Sequence, residues 1–232
     1  MRVVIKVSGE ALAGCEKGGL DYIMLDKVGD IIKDLIKSDI EVGVVVGAGN
    51  FIRGAEIEKI KIDRCNADNM GMLAININTI ALSDVLERKG IDTKIVNSFG
   101  IDGIAERFNK QKAIKYIKNK KVVIFGGGTG NPFFTTDTAG VLRALEIEAD
   151  MMIKATKVDG VYTKDPMKYD DAEFIKKVTY NEVIQKRLRV MDFTSIALAM
   201  ENNLVVKVLS LNKEGAIKNA ILGGDEGTTI SA

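Results

Sequence analysis

The stretch Val122-Val123-Ile124-Phe125-Gly126-Gly127-Gly128-Thr129-Gly130-Asn131-Pro132-Phe133-Phe134-Thr135-Thr136-Asp137 decides the fold. Its first four residues are apolar without alternation, the pattern of a short strand covered on both faces. Three glycines follow, and a helical pattern begins at Asp137. Glycine lets a backbone come close to a ligand, and a helix N-terminus offers unpaired N–H donors that favour an anion. Threonine and asparagine add further donors. The whole stretch reads as strand, phosphate cradle and helix.

Working outward, the same alternation repeats. Strand patterns occupy Val3–Val7, Val42–Val46, Lys94–Asn97, Met151–Lys154 and Val205–Leu209, with weaker, antiparallel candidates at Ile175–Val178 and Thr228–Ile230. Helical patterns occupy Asp21–Ile36, Asp68–Arg88, Gln111–Lys118, Asp137–Ala149, Tyr180–Arg187, Asp192–Asn202 and Glu214–Leu222. Strands alternating with helices predict an α/β fold: a three-layer α/β/α sandwich around a mostly parallel sheet. Ligands in such sheets bind beyond the carboxyl ends of the strands. No repeat, low-complexity tract or proline-rich linker divides the chain, so one domain is expected over 1–232.

Composition narrows the chemistry. The 232 residues are 46% hydrophobic, enough for a sizeable core. Net charge is +1, from 33 basic and 32 acidic residues, and no basic recognition helix stands out. Neither nucleic acid nor an anionic membrane is an expected partner. No apolar run approaches the roughly 18 residues of a membrane span. The start, Met1-Arg2-Val3-Val4-Ile5-Lys6, carries charge within its apolar run and does not read as a signal peptide. Cys15 and Cys65 lack metal-site spacing and read as reduced thiols. A soluble, cytoplasmic protein is expected. The chain has no histidine. Serine–histidine and cysteine–histidine catalysis are therefore excluded, and chemistry is left to lysine, arginine, carboxylates, hydroxyls, backbone amides and an oxygen-bound metal.

Four glycine-rich or turn-rich segments follow strand patterns: Lys6–Leu12, Gly47–Gly54, Gly126–Asp137 and Lys154–Pro166. Any one of them alone is more often a turn than a site. Together, with Lys6, Arg53 and Lys154 beside them, they place cations and amides around one crevice, as a polyphosphate requires. The well-known cradles do not fit. No glycine precedes Lys-Ser or Lys-Thr, as a Walker A loop needs, and Ile52 and Asn131 stand where the third glycine of G-x-G-x-x-G belongs.

Lys-Val-Ser-Gly-Glu-Ala from Lys6, Gly-Asn-Phe-Ile-Arg-Gly from Gly49, Ala-Asp-Asn-Met-Gly-Met-Leu-Ala from Ala67, Gly-Thr-Gly-Asn-Pro-Phe-Phe-Thr-Thr-Asp-Thr-Ala from Gly128, Lys-Ala-Thr-Lys-Val-Asp-Gly-Val-Tyr from Lys154 and Val-Met-Asp from Val190 stand in this order. With them the chain resembles the bacterial-type UMP kinases of the amino-acid-kinase fold family, over essentially its whole length. The resemblance implies phosphoryl transfer from MgATP to UMP, with residues up to about 150 serving the acceptor and 151–232 serving ATP.

It also implies roles. Lys6 would reach the transferred phosphoryl group, with Val7, Ser8 and Gly9 at the ATP phosphates. Gly49 and Arg53 would hold phosphates between donor and acceptor, with Lys154 beside them. Asp68 would accept a hydrogen bond from the UMP ribose. Ala48 and the loop Thr129, Gly130, Asn131, Pro132, Phe133, Phe134, Thr135 and Thr136 would wrap the UMP. Thr156, Tyr162 and Asp165 would hold the ATP nucleoside, while Asp137 and Asp192 would orient Lys6 and help hold Mg2+. A homohexamer is implied, with GTP as activator and UTP as inhibitor. Gly14, Cys15, Glu16, Lys17, Gly18 and Gly19 match the segment linked to the GTP response.

Plainer readings stand beside these. Lys6 also has a lesser reading as a snorkelling lysine at a sheet edge. Asp68, Asp137 and Asp192 are each placed to cap a helix. Tyr162, Phe133 and Phe134 could serve packing alone. Ala48 replaces a glycine common in the family, a mild change unless the backbone there needs positive φ. The rival functions are another kinase of the same fold, acting on carbamate, an amino acid or another monophosphate, and a UTP-responsive regulatory protein without turnover.

Overall fold

β1 (Arg2–Val7) is buried along its whole length and lies near the centre of the sheet. The computed structural model describes residues 1–14, 18–52, 61–188 and 190–232. β1 is flanked on one side by β2 (Glu41–Val46), β5 (Val122–Gly126), β3 (Thr93–Asn97) and β4 (Glu106–Arg107). On the other side follow β6 (Met151–Thr156), β10 (Val205–Ser210), β11 (Thr228–Ser231) and β9 (Lys177–Thr179). All neighbours pair in parallel except β10 with β11. A small antiparallel pair, β7 (Val161–Tyr162) and β8 (Phe174–Ile175), stands apart.

Alternation along the strands explains the layers. Val3, Ile5 and Val7 face one core with Val42, Val44, Val122 and Ile124, against α2 (Tyr22–Lys37), α3 (Arg64–Arg88) and α8 (Ala216–Ile221). Val4, Val45, Val123 and Phe125 face the other, against α4 (Lys110–Lys118), α5 (Thr136–Glu146), α6 (Tyr180–Gln185) and α7 (Phe193–Glu201). Each fully buried Val or Ile contributes about 1.5–3 kcal/mol. β1, β2 and β5 are buried on both faces, which is why their sequences run apolar almost without a break.

Several boundaries correct the sequence reading. The long helix starts at Arg64, with Asp63 as its N-cap accepting from Cys65 N and Asn66 N. Asp68 is therefore not a cap. α5 is capped by Thr135, so Asp137 is not its cap but an acidic residue of its first turn. Asp192 does cap α7, accepting from Ser195 N at 3.0 Å. The single strand expected at Ile175–Val178 is split, with Phe174–Ile175 pairing β7 and Lys177–Thr179 pairing β11. The short helix α1 (Gly9–Leu12) and the two-residue strands β4 and β7 carry too few residues for periodicity to reveal them.

Candidate phosphoryl-transfer site

The carboxyl ends of β1, β2, β5 and β6 open onto the same side of the sheet, and their loops touch. A Cβ on Gly9 would lie 2.4 Å from Gly49 N, and one on Gly47 would lie 2.8 Å from Gly9 N and 3.4 Å from the Thr136 hydroxyl. Only glycine permits this approach, which packs the loops after β1 and β2 and the start of α5 backbone against backbone. Ser8 caps α1, its Oγ accepting from Ala11 N at 3.2 Å. Ala48 does not adopt positive φ, so its methyl costs no backbone strain.

Two lysines meet here. Lys6 and Lys154 are register partners across β1 and β6 and face α5. Like charges placed directly opposite in a sheet repel. Asp137 separates them: Lys6 Nζ lies 2.8 Å from its Oδ1 and Lys154 Nζ 2.7 Å from its Oδ2. Gly140, one turn along α5, makes room for Met152 of β6 beside this cluster, since a Cβ there would sit 2.9 Å from the methionine Cε. Lys154 also donates to Val190 O at 2.5 Å. Burial raises the Asp137 carboxyl, but the two ammonium groups outweigh it and hold the group below its ordinary range. Burial pulls the Lys154 ammonium down by more than Asp137 restores. Oδ1 is buried, and the Lys6 ammonium is its partner in this ion pair.

Asp192 does not join this cluster directly. Its carboxylate accepts from Thr135 Oγ1 at 2.5 Å and Thr138 Oγ1 at 2.9 Å while capping α7. It thus ties the amino end of α5 to α7. Thr138 was not singled out in the sequence, because a buried threonine in a helix carries no distinctive pattern.

Beside the lysines lies a cavity of about 560 Å³, lined by Ala48, Gly49, Asp68, Thr129, Asn131, Phe134, Thr135 and Thr136 among others. The sequence brought these residues together from three segments, and the fold does so too. Asp68 stands on the wall, where its Oδ2 accepts from Arg64 Nε at 2.8 Å and from Phe133 N at 2.7 Å. Phe133 is left-handed (φ 72), an uncommon state for a bulky residue, and the Arg64 guanidinium lies 5.5 Å from its ring centre. Arg64 is a site-lining cation that sequence reasoning missed. Two buried asparagines support the β2 loop: Asn78 Nδ2 donates to Gly47 O at 2.6 Å, and Asn50 and Asn78 exchange side-chain hydrogen bonds at 2.8 and 2.9 Å. Asn50 also holds Gly19, the end of the Gly14–Gly19 segment, through its Nδ2 at 2.8 Å. Arg53 lies outside the described residues, as do Cys15, Glu16 and Lys17.

A model of the amino acid kinase family matches residues 1–210. The chain belongs to the amino acid kinase family. Among relatives within that family, a uridylate kinase of Haemophilus ducreyi is 47% identical over 230 residues, covering 99% of this chain and 97% of the relative. A uridylate kinase of Pseudoalteromonas translucida is 46% identical, covering 100% and 93%. The crystal structure of a UMP kinase from Bacillus anthracis superposes with a TM-score of 0.96 at 36% identity, covering 99% of this chain and 95% of that one.

A second cavity of this family member, about 300 Å³, lies beyond β6 and β10 and is lined by Asp159, Tyr162, Phe174, Lys176, Ser210 and Lys213 among others. The Tyr162 ring stands edge-on to Phe174 at 5.4 Å. Thr156 turns its hydroxyl onto Val158, accepting from N at 3.0 Å and donating to O at 2.6 Å, which shapes the loop leading there. Asp165 accepts from Met167 N at 3.0 Å in an exposed turn and does not line this cavity.

Proposed function

We propose that this amino acid kinase transfers the γ-phosphoryl group of MgATP to UMP, giving ADP and UDP. The carrying observation is the cluster of Lys6, Asp137 and Lys154 on β1 and β6, strands that lie in the sheet between β2 and β5, whose loops line the 560 Å³ cavity, and β10 and β11, whose ends line the 300 Å³ cavity. The larger cavity takes UMP, with Asp68 toward the ribose, Thr129–Thr136 wrapped around the nucleotide and Thr136 on its phosphate. The smaller, with Tyr162, takes the ATP nucleoside. The roles read for Val7, Ser8, Gly9, Gly49, Arg53 and Thr156 belong to the same proposal, whereas Asp165, outside the smaller cavity, is given no part in it. So does the division into an acceptor part up to about 150 and an ATP part after it.

A phosphate monoester is largely dianionic near pH 7, since its second pKa is about 6. It attacks without a strong base, which suits a chain without histidine. The obstacle is bringing two anions in line. Lys6 and the loop amides lower that repulsion and stabilise the charge spread in the transition state. Mg2+ enters with ATP as part of the substrate. Asp137 is committed to two ammonium groups and Asp192 to two threonines, and no cluster of three metal-binding side chains occurs among the described residues. This donor set fits a metal carried on the polyphosphate better than one caged by the protein.

The homohexamer, activation by GTP through Gly14–Gly19, inhibition by UTP and a cytoplasmic location form part of the same proposal. Met70, Leu73, Ile77 and Ile80 support self-association, because they form an exposed apolar stripe along α3. No helix among the described residues is long and apolar enough to cross a membrane.

The test is ADP release from MgATP with UMP, CMP, dUMP, carbamate or acetylglutamate as sole acceptor. Turnover restricted to UMP is expected. Turnover with carbamate or acetylglutamate instead would overturn the acceptor. Silence with all five, with and without GTP, would overturn the enzyme reading.

A further inference from the structure

Arg143 is a charged residue buried in the third turn of α5, with only 5% of its side chain exposed. Burying a guanidinium is costly unless its donors are used. Its Nη1 donates to Glu146 Oε2 at 2.5 Å, and its Nη2 to Ser98 Oγ at 2.7 Å and, more weakly, to Gly128 O at 3.4 Å. Its Cζ lies 4.1 Å from the ring centre of Phe108 and 6.0 Å from that of Phe125. Ser98 Oγ in turn donates to Gly128 O at 2.7 Å. A guanidinium and a serine hydroxyl thus converge on one backbone carbonyl.

That carbonyl begins the loop along the larger cavity. Gly127, Gly128 and Gly130 all have positive φ (71, 56 and 82), so the chain turns sharply as it leaves β5. Gly130 is held close to Ser98, where a Cβ would come within 2.8 Å of the serine Cβ. The loop ends at Thr135, whose hydroxyl caps α5 by accepting from Asp137 N at 3.1 Å. Entry and exit of the loop are therefore fastened to one helix, the entry by Arg143 and the exit by Thr135.

We propose that Arg143 is a positioning residue for the acceptor: through Ser98 and the Gly128 carbonyl it fixes the Thr129–Thr135 loop and so sets the affinity for the nucleoside monophosphate without touching it. This rests on the acceptor assignment above. A planar fork stacked on an aromatic ring meets both partners at once. A lysine of similar charge offers a point cation and loses either the stacking or one of the two contacts.

The experiment uses the full chain with R143K and, as a gentler cut of the same link, S98A. Steady-state kinetics with UMP and ATP varied separately are joined to hydrogen exchange of the loop amides without ligand. At least a fivefold rise in KM for UMP is expected in both variants, with KM for ATP within twofold and faster exchange across Thr129–Thr135. A smaller rise, or one shared equally by ATP, would overturn the proposal in a folded variant. If R143K fails to fold, S98A decides. If the wild type turns over no UMP, the acceptor assignment fails separately. The clamp is then judged by exchange alone, and unchanged exchange in both variants would overturn it.

Discussion

Lys6 and Lys154 sit directly opposite each other on β1 and β6, and the carboxylate of Asp137 lies between them, one oxygen to each ammonium. The arrangement keeps two cations together at the strand ends around one shared carboxylate, with Asp192 acting on Lys154 from farther off.

Asp137→Asn should remove that counter-charge and leave two buried ammonium groups facing each other. Breaking a buried pair of this kind costs about 3–5 kcal/mol. Thermal unfolding should shift down markedly, and kcat should fall as the lysines part. The Asp137 carboxyl is held below its ordinary value of 3.8, so its stabilising contribution is complete above that pH and fades as the pH drops further. An unfolding midpoint at pH 7 equal to that of the wild type would contradict the bridging role.

Lys6→Ala should lower kcat far more than it raises KM. Loss of one such charge stabiliser typically costs on the order of 3 kcal/mol, or roughly a hundredfold. Folding is checked by circular dichroism. An unchanged kcat in the folded variant would remove Lys6 from the chemistry.

Asp68→Asn should weaken UMP more than ATP. Asp68 also receives Phe133 N at 2.7 Å, so part of the loss arises through the loop rather than the ribose. Titration calorimetry with each nucleotide separates the effects. Equal losses for both nucleotides would argue against a place in the acceptor cavity.

Glu106 offers a pH test away from the site. Burial raises its carboxyl, but hydrogen bonds from Tyr116, Lys112 and Lys94 outweigh this and lower it from 4.5 to about 2. A depressed carboxylate stabilises the fold above its unfolded pKa, and that contribution is lost as pH falls from 4.5 toward 2. The Tm gap between wild type and Glu106→Gln should hold steady above pH ~5 and narrow on acidification. A gap independent of pH would show that the carboxylate is not the stabilising group.

The layered architecture and the convergence of the glycine loops were legible in the sequence, because buried strands leave unbroken apolar runs and loops that carry backbone close to backbone need glycine. Ile175–Val178 reads as one strand in the sequence because residue types alone do not reveal a change of partner at Lys176. Asp63 rather than Asp68 begins α3 because the helix gains a polar first turn that apolar periodicity does not register. Arg64, Asn78 and Arg143 went unnoticed for a common reason. Their significance lies in what they face across the fold, and their local sequence is that of ordinary helix residues.

The contact of Gly9 with Gly49, and of Gly47 with Gly9, bears on how this family can diversify. At these contacts the floor of the crevice is main chain pressed on main chain, with no room for a side chain on Gly9 or Gly47. Variation is therefore left to the walls of the larger cavity, at Ala48, Arg64, Asp68 and Phe134, while the floor stays fixed. Under the proposed function, the acceptor wall can change without rebuilding the floor beside it.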